Sequence, residues 1–421
     1  MTSRFTLRDF SLLCVLFAIG VFFHFAIDGS AFLEPRNLMQ LAVEAAIPAT
    51  LAVGMLLIIL PGHIDLSAGS GVGLMGGLAT VLVGGTGWLT DALRGFHEFV
   101  ATHFGVAAAA WIPVPPWPDP LAMVVCVVIS MLVWGAMGTL IVRERIQAFI
   151  VTLGGMLVFR GLFWRVIESK TVPVTGASRG QFWQFDFAGI HLDIPQDWLY
   201  RLTTSYLPAS VGLYLTGTIC LLMLGSAMLG WRRRVRLGMS GDDGEVVFVK
   251  WLIVSQLLFI FVIVANQYNG VPVPVIVFGA VALFIHTLTQ RTRFGRYLYA
   301  IGGNEEAAVI SGINVKRVTI WAFVLMGVIV AITGFMQTAF AGYSTSDLGD
   351  LMELDAIAAC VIGGVSLKGG RGNVLGVFIG ALIMATLAKG MSLMGVGPEL
   401  KYVVRGSVLV FAVWLDTRLS R

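Results

Sequence analysis

Long apolar runs alternate with short polar connections along this chain. A helix needs about 20 apolar residues to cross the hydrocarbon of a bilayer, where every backbone group must be bonded within the chain. By that rule, spans are predicted at 10–27, 38–60, 66–85, 121–142, 147–167, 207–230, 247–266, 273–289, 318–341, 354–366, 374–392 and 401–416. These twelve segments predict ten to twelve crossings. The tenth is too short to cross as a straight helix, so a broken or re-entrant segment is predicted there. The expected fold class is all-α, a polytopic helical membrane protein of about 10–12 transmembrane helices, with residues 1–421 as one transmembrane domain.

Composition agrees with the pattern. Of 421 residues, 57% are hydrophobic and 12% charged, with a mean hydropathy of +0.86. Soluble domains are about one quarter charged, so lipid must be the solvent for much of this surface. The net charge of +4 is no nucleic-acid signature. Cys14, Cys126, Cys220 and Cys360 are far apart in apolar runs, with no metal-ligand spacing, and read as small buried hydrophobes. Arg4 and Arg8 followed by the 10–27 run imitate a signal peptide, but no small-x-small cleavage site follows. An uncleaved first helix is expected.

Lys and Arg set the orientation. With the amino terminus inside, the inner connections hold seventeen of them, including Arg232, Arg233, Arg234, Arg236, Lys316, Arg317, Lys368 and Arg371. The outer connections hold six: Arg36, Arg94, Arg165, Lys170, Arg179 and Arg201. Both termini are therefore expected on the inner, cytoplasmic side of the membrane. Residues 86–120 and 168–206 become long outer connections, and 231–245 and 290–317 cytoplasmic loops. The first outer connection carries Trp88, Trp111 and Trp117 with Pro113, Pro115, Pro116, Pro118 and Pro120. Tryptophans there mark a lipid interface or a docking surface for an external protein.

Nucleotide-binding and metalloprotease motifs are absent. Gly71, Gly73 and Gly76 match a dinucleotide pattern, but inside an apolar span rather than between strand and helix. Gly69, Gly73 and Gly77 recur every four residues, as do Gly376 and Gly380; such ridges let another helix approach closely. In LPGHIDLSAGS (60–70), Pro61 and Gly62 end one helix, and Asp65, Ser67 and Ser70 follow. A helix cap explains the acid; a broken helix bordering a pathway explains the whole group. Glu44, Arg160, Glu353, Asp355 and Lys389 are charges within apolar runs and need partners or water. Glu44, together with Asp65, Ser67, Ser70, Asn266 and Gln337, forms the candidate pathway set for a hydroxylated solute. No metal site or catalytic constellation is expected.

The segment RTRFGRYLYAIGGNEEAAVISGINVKR (291–317) is polar and Gly-rich between greasy flanks. Gly302 and Gly303 precede Asn304, which can cap a short helix through Glu305, Glu306, Ala307 and Ala308 to Gly312. It reads either as an interfacial connector or as a helix inserted into a groove of another protein.

This segment resembles the cytoplasmic coupling loop of sugar permeases in bacterial ABC importers, the ribose/xylose/galactose group. IDLSAGS (64–70), FIVTLGGMLVFRG (149–161), ELDAIAACVIGGVSLKGGRG (353–372), GMSLMGV (390–396) and AVWLD (412–416) add to the resemblance, while SYLPAS (205–210) and NGVPVPV (269–275) look most like the xylose branch. His63 and the long 86–120 and 171–200 regions depart from the pattern. The resemblance implies a homodimer of permease subunits in lipid and an ATP-binding subunit docked on 302–312. It also implies a periplasmic sugar-binding protein that delivers a monosaccharide such as xylose. The chain itself would hold no cofactor, since ATP is bound by the partner, and would be no enzyme. Two other readings are an ion-coupled secondary sugar transporter, kept alive by Glu44 and Asp65, and a membrane enzyme, for which the six scattered histidines give no constellation.

Overall fold

Each of the twelve predicted segments is helical in the computed structural model. The structure describes residues 7–27, 32–104, 114–174, 182–187, 190–195, 197–237 and 244–419. Arg4, Trp111, Pro113, Arg179, Arg421 and residues 238–243 of the 231–245 loop lie outside the described residues.

The helices are α1 (Leu7–Ala26), α2 (Pro35–Ile59), α3 (Ala68–Gly84), α4 (Trp88–Phe104), α5 (Asp119–Glu144), α6 (Ala148–Val166), α7 (Trp198–Thr204) and α8 (Ala209–Arg236). They continue as α9 (Gly244–Asn266), α10 (Val273–Arg291), α11 (Arg293–Gly303), α12 (Glu305–Ile310), α13 (Val315–Ala341), α14 (Met352–Ile362), α15 (Val374–Leu393) and α16 (Pro398–Leu419). Among the described residues, eight helices are long and apolar enough to cross a membrane: α2, α5, α6, α8, α9, α10, α13 and α15. Taken together as one span, the bent pair α3–α4 would make a ninth. Of the remaining predicted spans, α1 is apolar over Ser11–Ala26, α14 has 11 residues, and α16 carries Glu399, Lys401 and Arg405 in its first half. At 1.5 Å per residue α14 is about 16 Å long, half the hydrocarbon thickness. Among the described residues, strands are confined to two-stranded antiparallel pairs: β1 (Val172–Pro173) with β6 (Tyr343–Ser344), β2 (Phe182–Phe187) with β3 (Ile190–Pro195), and β4 (Tyr206–Leu207) with β5 (Val271–Pro272).

The centre of the bundle is α13, packed on α5, α3 and α2. In lipid no hydrophobic force drives one helix onto another, so close packing must supply the adhesion. Glycine makes it close. A Cβ on Gly76 would collide with Thr338 Oγ1 and sit 2.7 Å from the Gly334 carbonyl oxygen; one on Gly334 would sit 2.6 Å from the Val72 carbonyl oxygen. Thus α3 and α13 touch backbone to backbone. Gly73 and Gly77 receive the ring of Phe163 on α6, and Gly69 lies under Glu353 and the Gly349 carbonyl. Likewise Gly380 meets the Ala359 carbonyl and Gly376 the Gly363 carbonyl, which sets α14 and α15 antiparallel.

A Gly76→Val substitution should lower stability by about 1–3 kcal/mol, the cost of overpacking. Gly161→Ala, at a helix position with nothing within 4 Å, should leave stability unchanged or slightly raised. Thermal unfolding of the purified protein in detergent distinguishes them, and equal midpoints would refute the tight contact.

Candidate functional site

At the end of the bundle where α13 finishes, a cavity of about 460 Å³ opens between α2, α13, the 343–352 segment, α14, α15 and α16. It exists because α14 is short: the chain from Tyr343 to Met352 turns into the bundle instead of bridging its rim. Glu44, Gln337, Thr345, Asp347, Asp350, Asp355, Ser392 and Arg405 line it beside Ile47, Met352 and Met384.

The charges are paired across helices. Lys389 Nζ lies 2.8 Å from Glu44 and donates also to Gln40 Oε1 at 3.2 Å. Arg405 lies 3.2 Å from Asp355. Arg160 pairs with Asp350, and Trp164 Nε1 donates to the Ser346 carbonyl at 3.0 Å. The wall therefore presents many donors and acceptors, with three of its four carboxylates paired to a base, an arrangement that suits a hydroxylated molecule.

The break between α2 and α3 has a different task. Gly62, at φ +89°, ends α2, and the Gly62 and His63 N–H groups donate back to Ile59 and Ile58. Asp65 is fully buried: one carboxylate oxygen accepts from Ser67 N at 2.8 Å and Ser67 Oγ at 2.5 Å, and the other from Trp134 Nε1 at 2.7 Å. The acid orders the start of α3 and ties it to α5. Neither Asp65 nor Ser67 nor Ser70, also buried, is among the cavity walls. Asn266 closes α9 and donates to the Ala209 carbonyl at 3.5 Å, away from those walls. Of the candidate pathway residues, only Glu44 and Gln337 line the cavity.

At the other end, α11 and α12 form a bent pair of short helices. Asn304 Oδ1 accepts from Ala307 N at 2.9 Å and starts α12. Gly312, at φ +80°, ends it; the Ile313 N–H reaches back to Ala308 and the Gly312 N–H to Val309. Glu305, Glu306 and Ala307 are exposed. Ala308, grouped by sequence with the docking face, is 3% exposed and points into the fold; Ile310, the last residue of the helix, is 87% exposed. Gly302 is the anchor behind it. A Cβ there would strike the Leu60 carbonyl and Gly370. Leu60 O accepts from Gly370 N at 2.9 Å, and Tyr299 Oη donates to the Gly372 carbonyl at 2.7 Å. The loop is thus fastened to the end of α2 and to the turn between α14 and α15. His63 sits beside it. Burial holds its imidazole below the usual histidine range, while the Glu305 charge acts the opposite way.

Sequence reading did not pick out Gln40, Asp350, Arg405 or Ile310. A signal exists only for the ion partners: a charge in an apolar run requires an opposite one, but not at any stated position.

Trp134→Phe leaves one Asp65 oxygen without its partner in a site closed to water. It should cost about 1–3 kcal/mol. Added to Asp65→Ala, it should cost much less than alone. Additive effects in thermal unfolding would show that the two side chains do not interact.

Comparison with known proteins follows the same lines. The family model described as a branched-chain amino acid transport system permease component matches residues 37–413. The xylose transport system permease protein XylH of Escherichia coli K12 is 36% identical over 420 residues, covering 99% of this chain and 93% of the relative. XylH of Haemophilus influenzae is 34% identical over 98% of this chain and 96% of the relative. The ribose import permease protein RbsC of Bacillus subtilis is 30% identical over 93% of this chain and 87% of the relative. No solved structure matches. A helical membrane bundle with a polar cavity at one end, matched almost end to end by transport permeases, belongs to the family of transport-system permease components.

Proposed function

We propose that this chain is the membrane-spanning subunit of an ATP-binding-cassette importer. It carries a monosaccharide, xylose or a similar pentose or hexose, inward across the cytoplasmic membrane. The observation that carries this reading is the near full-length similarity to xylose permeases. In this reading two copies form the pathway, and a separate subunit binds and hydrolyses ATP against the 290–317 loop. A sugar-binding protein delivers solute at the opposite, periplasmic end, near the 86–120 and 168–206 connections. Both chain ends and the 231–245 loop then face the cytoplasm.

In this reading each group of residues has its own role. Glu44 and Gln337 border the route of the sugar, and the paired charges around them offer hydrogen bonds without a strong field. Asp65, Ser67 and Ser70 keep α3 in place behind the route, with the glycine ridges. Gly302, Gly303, Asn304, Glu305, Glu306, Ala307, Ala308 and Gly312 shape the coupling helix, whose outermost apolar side chains are Val309 and Ile310. ATP favours one state of the motor; the loop passes that preference to a bundle with two arrangements. Ion coupling is the weaker reading. Its two best acids are occupied, Glu44 by Lys389 and Asp65 by Ser67 and Trp134.

In proteoliposomes, labelled xylose uptake should require the ATP-binding subunit and ATP, and should survive an uncoupler. Uptake by the permease alone would refute the importer. Ile310→Asp should reduce ATP-driven uptake about tenfold or more, as loss of a central apolar anchor does, with unchanged thermal stability. Full activity would remove Ile310 from the docking face. Glu44→Gln should slow transport and destabilise by about 1–3 kcal/mol, between the limits for surface and buried pairs. Lys389→Met added to it should restore stability but not uptake. Recovery of both would leave Glu44 no part in the pathway.

A further inference from the structure

The helix α4 carries WLTDALRGFHEFVATHF, a stretch with two acids, an arginine and two histidines that turns away from the axis of α3. At 100° per residue Trp88, Phe99, Ala92, Phe96, Leu89, Val100 and Leu93 share one side, with His103 among them packed against Phe99, and Asp91, Arg94, Glu98 and Thr102 take the other. Leu89 and Leu93, at one margin of the apolar side, pack on the bundle core. Val100 between them is half-buried, and the other margin is open: Phe96 is 54% and Phe99 51% exposed.

The attitude of this helix is fixed. It bends from α3 by 54°, through Gly85 and Gly87, both at positive φ. The Trp88 backbone N–H donates to Glu168 Oε1 at 2.8 Å and its indole Nε1 to the Arg165 carbonyl at 2.7 Å. The Arg165 guanidinium stands 5.0 Å over the indole ring. Arg94 Nη2 donates to the Gly85 and Pro115 carbonyls. These bonds hold the first turns of α4 at the end of α6, a membrane-crossing helix whose own Leu157, Val158, Leu162 and Trp164 are exposed. The exposed aromatic side of α4 therefore continues the lipid-facing surface of α6 around the rim of the bundle.

We propose that α4 is a membrane-surface helix, with Phe96 and Phe99 seated in the boundary between headgroups and acyl chains at the end of the bundle away from α12. The occupant of this face is lipid. Its adhesion comes from apolar burial and not from charge, because Asp91 and Glu98 outnumber Arg94 on the polar side. Trp88, Trp164 and Arg165 mark the depth of the interface at the rim. The inference rests on the chain's crossing a membrane and is independent of the motor and the sugar.

The test uses the full chain in phosphatidylcholine vesicles. Cys14 is exposed and is replaced by Ser; the other three cysteines are buried. Phe99→Cys, Ala92→Cys and Glu98→Cys are made singly and labelled with an environment-sensitive fluorophore. Probes at 99 and 92 should be quenched by lipid carrying a nitroxide near the headgroup, and about threefold less than the probe at 98 by aqueous iodide. Replacing a third of the lipid with phosphatidylglycerol should change neither result. Equal iodide access at 98, 99 and 92 would overturn the proposal. So would shielding of 99 and 92 from both quenchers, which would mean that protein covers this face, and so would protection that appears only when a sugar-binding protein is added.

Discussion

Backbone carbonyls resting on glycines hold this bundle together. Gly69 meets Gly349, Gly76 meets Gly334, Gly376 meets Gly363, Gly380 meets Ala359 and Gly302 meets Leu60. Helices surrounded by lipid gain nothing by hiding apolar side chains from their neighbours, and dispersion forces fall steeply with distance. A methyl group at any of these points would push two elements apart. The same contacts place the cavity, because they fix how deep the 343–352 segment reaches beside α3. They also fix where the bent pair α11–α12 is fastened.

Buried polarity is arranged with equal economy. Glu44, Arg160, Asp355 and Lys389 each have an ion partner on a distant part of the chain; Glu353 has none, and one of its oxygens is buried without a hydrogen bond. Ion pairs at the cavity wall stand partly in water and partly in protein. They are less costly there than at the centre of a bilayer, and more easily opened than a buried pair. Asp65 is the contrast. Three donors converge on it in a closed site, where it fastens the start of α3 to α5.

The spans are legible in the sequence because a bilayer imposes one length on every crossing, and the short 354–366 run stands out against that length. Caps and stops are legible too, since Asn304, Gly312 and Gly62 act through their own backbone neighbours. What cannot be read is whatever depends on which helices meet. The pairing of Glu44 with Lys389 joins residues 345 positions apart, and no local pattern encodes it. The buried face of α12 is hidden for another reason: six residues are too few for periodicity to say that Ala308 turns inward and Ile310 outward. Asp65 is ambiguous in sequence because a cap and a pathway acid look alike until Trp134 arrives from α5.

One rod reaches both ends of the molecule. Helix α2 carries Glu44 in the cavity wall and ends at Leu60, whose carbonyl lies against Gly302. Sixteen residues of helix separate the two, about 24 Å. A tilt of about 5° about the Leu60 end would sweep Glu44 sideways by about 2 Å, enough to part a hydrogen-bonded ion pair. The arm is nearly all buried beyond Val43 and is interrupted once, at Pro48, where the helix lacks a backbone hydrogen bond, so a rotation at the Leu60 end reaches the far wall through that joint.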